Sequence, residues 1–537
     1  MAAAGVLAVI ATLASLSPAT GSVTGGTTTD GADGPVVRTE TGLVRGVRED
    51  EHTLYHGIPY AGPPTGSHRW AAPRPAAHWA GVRDATKPGP LCPQVPAPHA
   101  PISGSDEDCL VLNVTAPSSR PRGGAPVLVW IHGDGAVGGG AFYDGRRLAA
   151  QGLVVVTVNY RLGVFGSFAH PGLEGSGTFG LQDQQAALAW VRRNAGAFGG
   201  NPRNVTVAGV SFGASAIAGH LTSPGARGLF DRAVMMSGAG MMDMPAGAMG
   251  PEVPGYPWFV WRTGRQMRDI GAAMTAPLGC RHEDPDRALA CLRALPVRMI
   301  LDVPAIMNAH QGFAFGNRTL PRLPEAALRE GRFHRVPVLS GATRDEHRLF
   351  VGARYDAVGK PFTEDDYRKA LDTAFGDLAG QVLAAYPAAA FASPALAWAT
   401  VVTDRMWARG TYRQHTALGR HVPVYAYEFA DREAPMYLPF PGGFDFGAYH
   451  AADPPYLFED DAAEPLFTPG QKRLSAAMAR SWAAFARTGD PNVPGLPAWR
   501  PYRPGDPTPV TQSLAPHRTG PVDYHREHRL GFWNRLR

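Results

Sequence analysis

The sequence predicts an α/β fold: one large, mostly parallel central sheet with helices on both faces and long insertions. Three observations predict it. Short, continuous apolar runs rich in Val recur at residues 127–131, 154–159, 205–209, 336–340 and 422–429, as expected of strands buried on both faces. Segments with helical spacing fall between such runs, and this alternation is the signature of a mostly parallel sheet. Residues 36–537 carry no low-complexity linker, charge block or internal repeat, so one large domain explains the length better than several.

The elements follow in order. Residues 36–62 read as short strands and turns, the start of a β-meander. A proline-rich, turn-rich stretch leads to Cys92, and Asp106 to Cys109 leads into the strand LVLNVTAP. The strand 127–131 runs into His132-Gly133-Asp134-Gly135-Ala136, then Gly138-Gly139-Gly140. After the strand 154–159, residues 181–198 carry Leu181, Ala187, Leu188 and Val191 at helical spacing. Gly199-Gly200-Asn201-Pro202 stops that helix. Residues 241–320 are less regular, with Met241, Met242, Met244 and Met249 close together. Such methionines read as core filler or as an adaptable wall for an acyl pocket. The strand 336–340 ends in GATRDEHRLF, the strand 422–429 precedes a loop with His450, and residues 471–487 read as an amphipathic helix.

Composition excludes several classes. The net charge is +5, and the arginines are scattered rather than clustered with aromatics, so there is no nucleic-acid footprint. Residues 1–19 read as a signal peptide, with small residues Ser17 and Ala19 before a cut. Residues 20–35 read as a disordered linker. No later stretch is long and apolar enough to span a bilayer. The four cysteines suggest two local bridges, Cys92–Cys109 and Cys280–Cys291, among three possible pairings. That pattern suits an oxidising, extracellular destination. No Cys/His cluster has zinc-ligand spacing, and no cofactor or metal is implied. Asn113, Asn204 and Asn317 fit the glycosylation triplet.

The stretch Val205 to Ser215, VTVAGVSFGAS, organises the chain. A buried strand runs into Gly209-Val210-Ser211-Phe212-Gly213, and small apolar residues then begin a helix. Strand, sharp turn with serine at its tip, helix: this is the context of a nucleophile elbow. A side chain two residues either side of the serine would collide with its neighbours, hence the glycines. A serine hydroxyl is a weak nucleophile. It needs a base to take its proton and a carboxylate to orient that base. Downstream carboxylates and histidines in loops leaving the carboxyl ends of strands include Asp345, Glu346 and His450, at the edge where ligands bind in open α/β sheets. The residues alone do not choose His450 from 18 histidines. His132, His220, His310, His334 and His347 read as surface or supporting groups.

Longer motifs narrow the choice. Gly57-Ile-Pro-Tyr-Ala-Gly-Pro-Pro64, Arg69-Trp70, Cys92-Pro-Gln94 and Glu107-Asp-Cys-Leu-Val-Leu-Asn-Val114 resemble the type-B carboxylesterase and cholinesterase-like family of α/β-hydrolases. The resemblance covers about residues 36–537. It implies an α/β-hydrolase fold, a Cys92–Cys109 bridge and an Arg69–Glu107 ion pair. G-x-S-x-G, G-A-T-R-D-E and H-x-x-D-P-P-Y-L-F then imply Ser211 as nucleophile, Glu346 as acid and His450 as base. Ser237 matches the family position that hydrogen-bonds the acid. The oxyanion donors are expected from the N–H of Phe212 and from the loop of Gly133, Asp134 and Gly135, each donor contributing roughly 2.7–4 kcal/mol.

Three positions depart from the family pattern. Val210 replaces the usual Glu, Phe212 the usual Ala, and Asp134 a glycine of the H-G-G-G loop. An aspartate resists positive φ, and its carboxylate, if turned inward, would repel the oxyanion. Gly138-Gly139-Gly140 are expected to supply flexibility instead. The bulk of Phe212 favours small acyl groups. The loop between Cys92 and Cys109 holds no Phe, Tyr or Trp, which argues against a choline-ester specialist. The expected function is a secreted ester hydrolase acting on small-molecule esters through an acyl-enzyme. The alternatives are a non-catalytic binding protein of the same fold, or a hydrolase of amides, carbamates, lactones or toxin esters, which fold and triad do not separate.

Overall fold

A computed structural model describes residues 34–96, 104–119, 121–355, 359–438, 440, 443–506 and 509–536. The expected signal peptide and most of the expected linker lie outside the described residues.

The central sheet has eleven strands. In chain order they are β1 Val47–Arg48, β2 His52–Pro59, β3 Val111–Pro117, β4 Ala125–Ile131, β5 Val154–Val158, β6 Gly200–Val210, β7 Arg232–Met236, β8 Val338–Thr343, β9 Val424–Phe429, β10 Thr511–Leu514 and β11 Gly520–Val522. Their spatial order is 11-10-9-8-7-6-4-5-3-2-1. The pairings from β5 across β4 and β6 to β10 are parallel, and those at the two ends are antiparallel.

The apolar runs explain the interior strands. Every residue of β4, APVLVWI, is buried. Side chains alternate across a strand, so Val127, Val129 and Ile131 enter one core while Leu128 and Trp130 enter the other. On the first face lie α1 (Phe179–Asn194) and α2 (Phe212–Thr222), with α3 (Arg409–Gly419) beyond them. On the second lies α4 (Pro469–Thr488), through Leu474, Met478 and Trp482. The helix expected at 181–198 starts at Phe179, and its last turn, 195–198, tightens to a 3₁₀ turn before Gly199 at φ 81°. That left-handed C-terminal glycine is the usual stop. α4 opens on a capping box between Thr468 and Gln471.

A third apolar cluster stands over the sheet. It is built from segments that follow β7 and β8, and it holds Met242, Met244, Met249, Val351, Trp398 and Trp407. No helix among the described residues is long and apolar enough to cross a membrane.

The two expected disulfides form, Cys92–Cys109 and Cys280–Cys291. Arg69 meets Glu107 with two parallel bonds, 2.6 and 2.7 Å. Its remaining nitrogen reaches the carbonyls of Leu292, Arg293 and Leu295. One buried arginine thereby ties the first disulfide loop to the helix that ends the second. Asn113 is buried in β3, bonded to Gly57 N–H and Thr157. This burial removes it from the candidate glycosylation positions.

Candidate active site

β6 ends in the elbow. Ser211 sits at φ 56°, ψ −121°, a region that costs a non-glycine residue on the order of 1–3 kcal/mol. The surroundings hold it there. Its N–H donates to the Met236 carbonyl of β7 at 2.8 Å, and its carbonyl accepts from Ser215 at 2.9 Å. The flanking glycines are required by one atom: a Cβ at Gly209 would stand 2.6 Å from the Ile131 carbonyl oxygen, and one at Gly213 only 2.2 Å from it.

The structure brings Ser211, His450 and Glu346 into one line. Ser211 Oγ lies 2.9 Å from His450 Nε2, and His450 Nδ1 lies 2.5 Å from Glu346 Oε2. With Nδ1–H donating to the carboxylate, Nε2 is left to accept the serine proton. Glu346 is fully buried, and its other oxygen accepts from Thr343 N–H at 2.8 Å. The rival Asp345 is occupied elsewhere. It takes two bonds of 2.8 Å from Arg432, one from Ala448 N–H and an ion pair with Arg348. It anchors the turn that presents His450.

Ser237 departs from expectation. It leaves β7 at φ 50°, with its N–H on the Gly341 carbonyl. Its buried hydroxyl finds no hydrogen-bond partner among the described residues. The oxygens of Glu346 are taken by Thr343 N–H and His450 instead.

The loop after β4 also differs from expectation. Asp134 does adopt the left-handed region, at φ 67°, which aspartate tolerates better than most residues. Its carboxylate is folded back onto its own loop: Oδ1 accepts from Ala136 N–H at 3.1 Å, Val137 N–H at 3.3 Å and Gln311 at 3.2 Å. Gly135 N–H donates to the Gly133 carbonyl at 3.0 Å, so in this conformation it is engaged within the loop. Phe212 N–H opens α2, where a helix leaves its N–H groups without intrahelical partners. The Gly138–Gly140 segment is pinned rather than loose. Gln94 bonds both the N–H and carbonyl of Gly138, and Asn159 accepts from Gly140 N–H at 2.7 Å.

The Phe212 ring is held in place by its neighbours. It lies over Gly135, where an added Cβ would meet it at 2.8 Å, and packs against Phe313 at 4.7 Å. Sequence reasoning missed the aromatic collar of His450. Trp407 and Phe350 pack on its ring at 4.7 and 5.2 Å. Trp407 sits on a π-helical turn, Thr403–Ala408, a distortion frequent at functional sites that no periodic pattern announces. Its Nε1–H donates to His347 Nδ1 at 3.2 Å, and His347 Nε2–H to the Ala248 carbonyl at 2.8 Å. Burial holds His347 down at about 4, so it is neutral at pH 7. His132 is likewise buried and held at about 4, stacked on Tyr160. Asp453, three residues after His450, is fully buried, and burial together with the charge of Glu346 raises it to about 7.

Ser211 and His450 open onto a cavity of about 840 Å³, walled by Met244, Met249, Phe259, Phe350, Trp398 and Trp407 among others.

The comparisons with known proteins give the family. The carboxylesterase family matches residues 33–533. The para-nitrobenzyl esterase of Bacillus subtilis (strain 168) is 35% identical, over 85% of this chain and 91% of the relative. The acetylcholinesterase of Bungarus fasciatus is 33% identical, over 93% and 86%. Human carboxylesterase 3 is 31% identical, over 87% and 85%. A solved PNB esterase structure superposes with a TM-score of 0.75 at 31% identity, covering 93% of this chain and 99% of that one. An elbow serine beneath an apolar cavity, on this sheet and with these relatives, places the chain in the carboxylesterase family, the serine hydrolases of carboxylic esters.

Proposed function

We propose that the chain is a secreted carboxylesterase in which Ser211 is the nucleophile, His450 the general base and Glu346 the orienting acid. The observation that carries this reading is the unbroken line of two hydrogen bonds from Ser211 Oγ through His450 to Glu346, of 2.9 and 2.5 Å. His450 Nε2 takes the serine proton as Oγ attacks the ester carbonyl. The carbonyl oxygen becomes an oxyanion beside Phe212 N–H and the 133–135 loop. Glu346 stabilises the imidazolium without taking its proton. His450 then protonates the leaving alkoxide, and the acyl group remains on Ser211. Water, activated by the same imidazole, releases the acid and restores the serine.

The Phe212 ring, fixed against Gly135 and Phe313, supports a preference for short acyl chains. The large cavity and the similarity to a para-nitrobenzyl esterase support a bulky alcohol. Two disulfides and the apolar leader support secretion, with residues 36–537 as a single catalytic domain behind residues 1–19 and a linker. The test is nitrophenolate release from p-nitrophenyl acetate, butyrate and octanoate, beside a Ser211→Ala variant. The variant should lose turnover above background, and octanoate should be the poorest substrate. Equal rates for the two proteins would remove Ser211 from the mechanism.

A further inference from the structure

Two arginines line the cavity into which Ser211 opens, Arg262 and Arg354. Arg262 is only 8% exposed. One nitrogen, Nη1, donates to the carbonyls of Trp258, Phe259 and Trp261. The guanidinium lies over the Tyr256 ring, 3.9 Å from its centre. No carboxylate pairs with it among the described residues. Burial pushes its proton affinity down, and Tyr256 alone offsets this. Arg354 gives one bond to the Met249 carbonyl, and burial lowers it too.

An arginine cannot shed its charge in a protein. A buried cation without an anion is costly, and charged groups in clefts raise the local concentration of oppositely charged ligands. The acids that line the same cavity do not compensate it. Asp134 is bonded to its own loop and Gln311, Glu459 pairs with Arg146 at 3.2 Å, and Asp460 accepts from Ala462 and Ala463 N–H. Arg262 shares the cavity with Ser211 and His450, and its backbone is linked to the elbow. It stands on a short strand, Trp261–Thr263, paired with Phe313–Phe315. Phe313 is the ring that packs on Phe212, next to the nucleophile.

We propose that the cavity selects esters that carry a second, anionic group, a carboxylate, and that Arg262 is the specificity-determining residue that receives it. This rests on the esterase reading above. The guanidinium fork suits a carboxylate, which it binds with two parallel hydrogen bonds. Nη1 is spent on carbonyls, so the carboxylate meets the remaining N–H groups.

The experiment compares charged esters with neutral esters of similar chain length by pH-stat with the full chain. Monoethyl glutarate against ethyl pentanoate puts the carboxylate on the acyl side. Butyryloxyacetate against propyl butyrate puts it on the alcohol side. In at least one pair the charged ester should have the higher kcat/KM, and added salt should weaken that advantage, as screening requires. In Arg262→Gln the charged-to-neutral ratio should fall at least about tenfold, chiefly through KM, in line with the loss of one charged hydrogen-bonded contact. Arg262→Lys should keep part of the ratio. If Arg262→Gln does not fold, Arg262→Lys decides: a reduced charged-to-neutral ratio supports the assignment, and a ratio equal to the wild type's overturns it. Both charged esters cleaved more slowly than their neutral partners would overturn the proposal, as would a ratio unmoved in Arg262→Gln. Turnover of any ester separates the outcomes: if none of the four esters is cleaved, the esterase reading fails first, whereas cleavage of the neutral esters alone overturns only the selectivity for an anionic group.

Discussion

At Asp134 the chain puts an acid within the loop proposed to meet the oxyanion. The sequence identifies this departure, along with Val210 and Phe212, but not where the carboxylate points. That depends on Ala136 and Val137 N–H and on Gln311, which lies 177 positions away. The carboxylate braces the loop at its positive φ, so its shape matters more than its charge. Asp134→Asn keeps the acceptor and the tolerance of φ 67°, and should retain kcat within about threefold. Asp134→Ala loses the brace and should lower kcat by roughly tenfold, one lost hydrogen bond's worth of loop order. Steady-state kinetics on butyrate esters would decide; a large gain in Asp134→Asn would mean the charge does reach the oxyanion. Asp453 makes a second residue-scale case. Its folded-state value is raised to about 7, by burial first and then by Glu346. The native state therefore binds a proton that the unfolded state gives up near 3.8, and stability falls as pH rises from about 4 to 7. Asp453→Asn removes that loss. Its melting temperature should exceed the wild type's at pH 8 by more than at pH 5, and a pH-independent difference would sink the argument.

The elbow is the element on which function turns, and it was legible because its constraints are local. Gly209, Ser211 and Gly213 fall at fixed spacing between an apolar strand and a run of small residues. The crowding atom is not local: Ile131 O on β4 faces both glycines. Backbone cannot yield as a flexible side chain can. Gly213→Ala should therefore lose at least about a hundredfold in kcat or fail to fold, an overpacking cost of the kind that shifts backbone. Gly196→Ala, with nothing within 4 Å of the added carbon, should behave as wild type in both circular dichroism and kinetics. Matching losses in the two variants would point to a general glycine effect rather than to Ile131. Other elements were less legible for physical reasons. β7, RAVMM, is flanked by charge and has one β-branched residue, so its strand character comes from its neighbours β6 and β8. The π turn that aims Trp407 at His450 contains no Gly or Pro of its own and lies inside a long helical run, so periodicity passes over it. The family resemblance assigns Ser237 a bond to Glu346, yet its hydroxyl is unbonded among the described residues, and Thr343 N–H and His450 hold Glu346 instead.

At the scale of the whole molecule, the chain's end is locked onto the sheet through charge. His528 is buried between Asp404 Oδ1 and Glu428 Oε1, each at 2.6 Å. Glu428 belongs to β9, Asp404 to the π turn that carries Trp407, and Arg344, after β8, bridges Glu428 and Glu527. No sequence pattern announces this cluster, because His528 lies 124 and 100 positions from Asp404 and Glu428, and Arg344 lies 84 and 183 positions from Glu428 and Glu527. Burial works against a charge on His528, but Asp404 and then Glu428 outweigh it and push it up to about 10. The sign follows. Its folded value lies above the ordinary 6.5, so the contribution to stability is complete below pH 6.5 and is lost as pH climbs towards 10. His528→Gln strands two buried carboxylates and should cost about 3–5 kcal/mol near neutrality, as removing one partner of a buried pair does. Thermal unfolding at pH 6, 8 and 10 separates this from simple packing loss. The gap between wild type and variant should be widest at pH 6 and narrow by pH 10, because the wild type has by then given up the same charge. A gap that stays constant across that window would mean that His528 holds the C-terminal segment by shape alone, and that the path from the chain's end to Trp407 carries no electrostatic link.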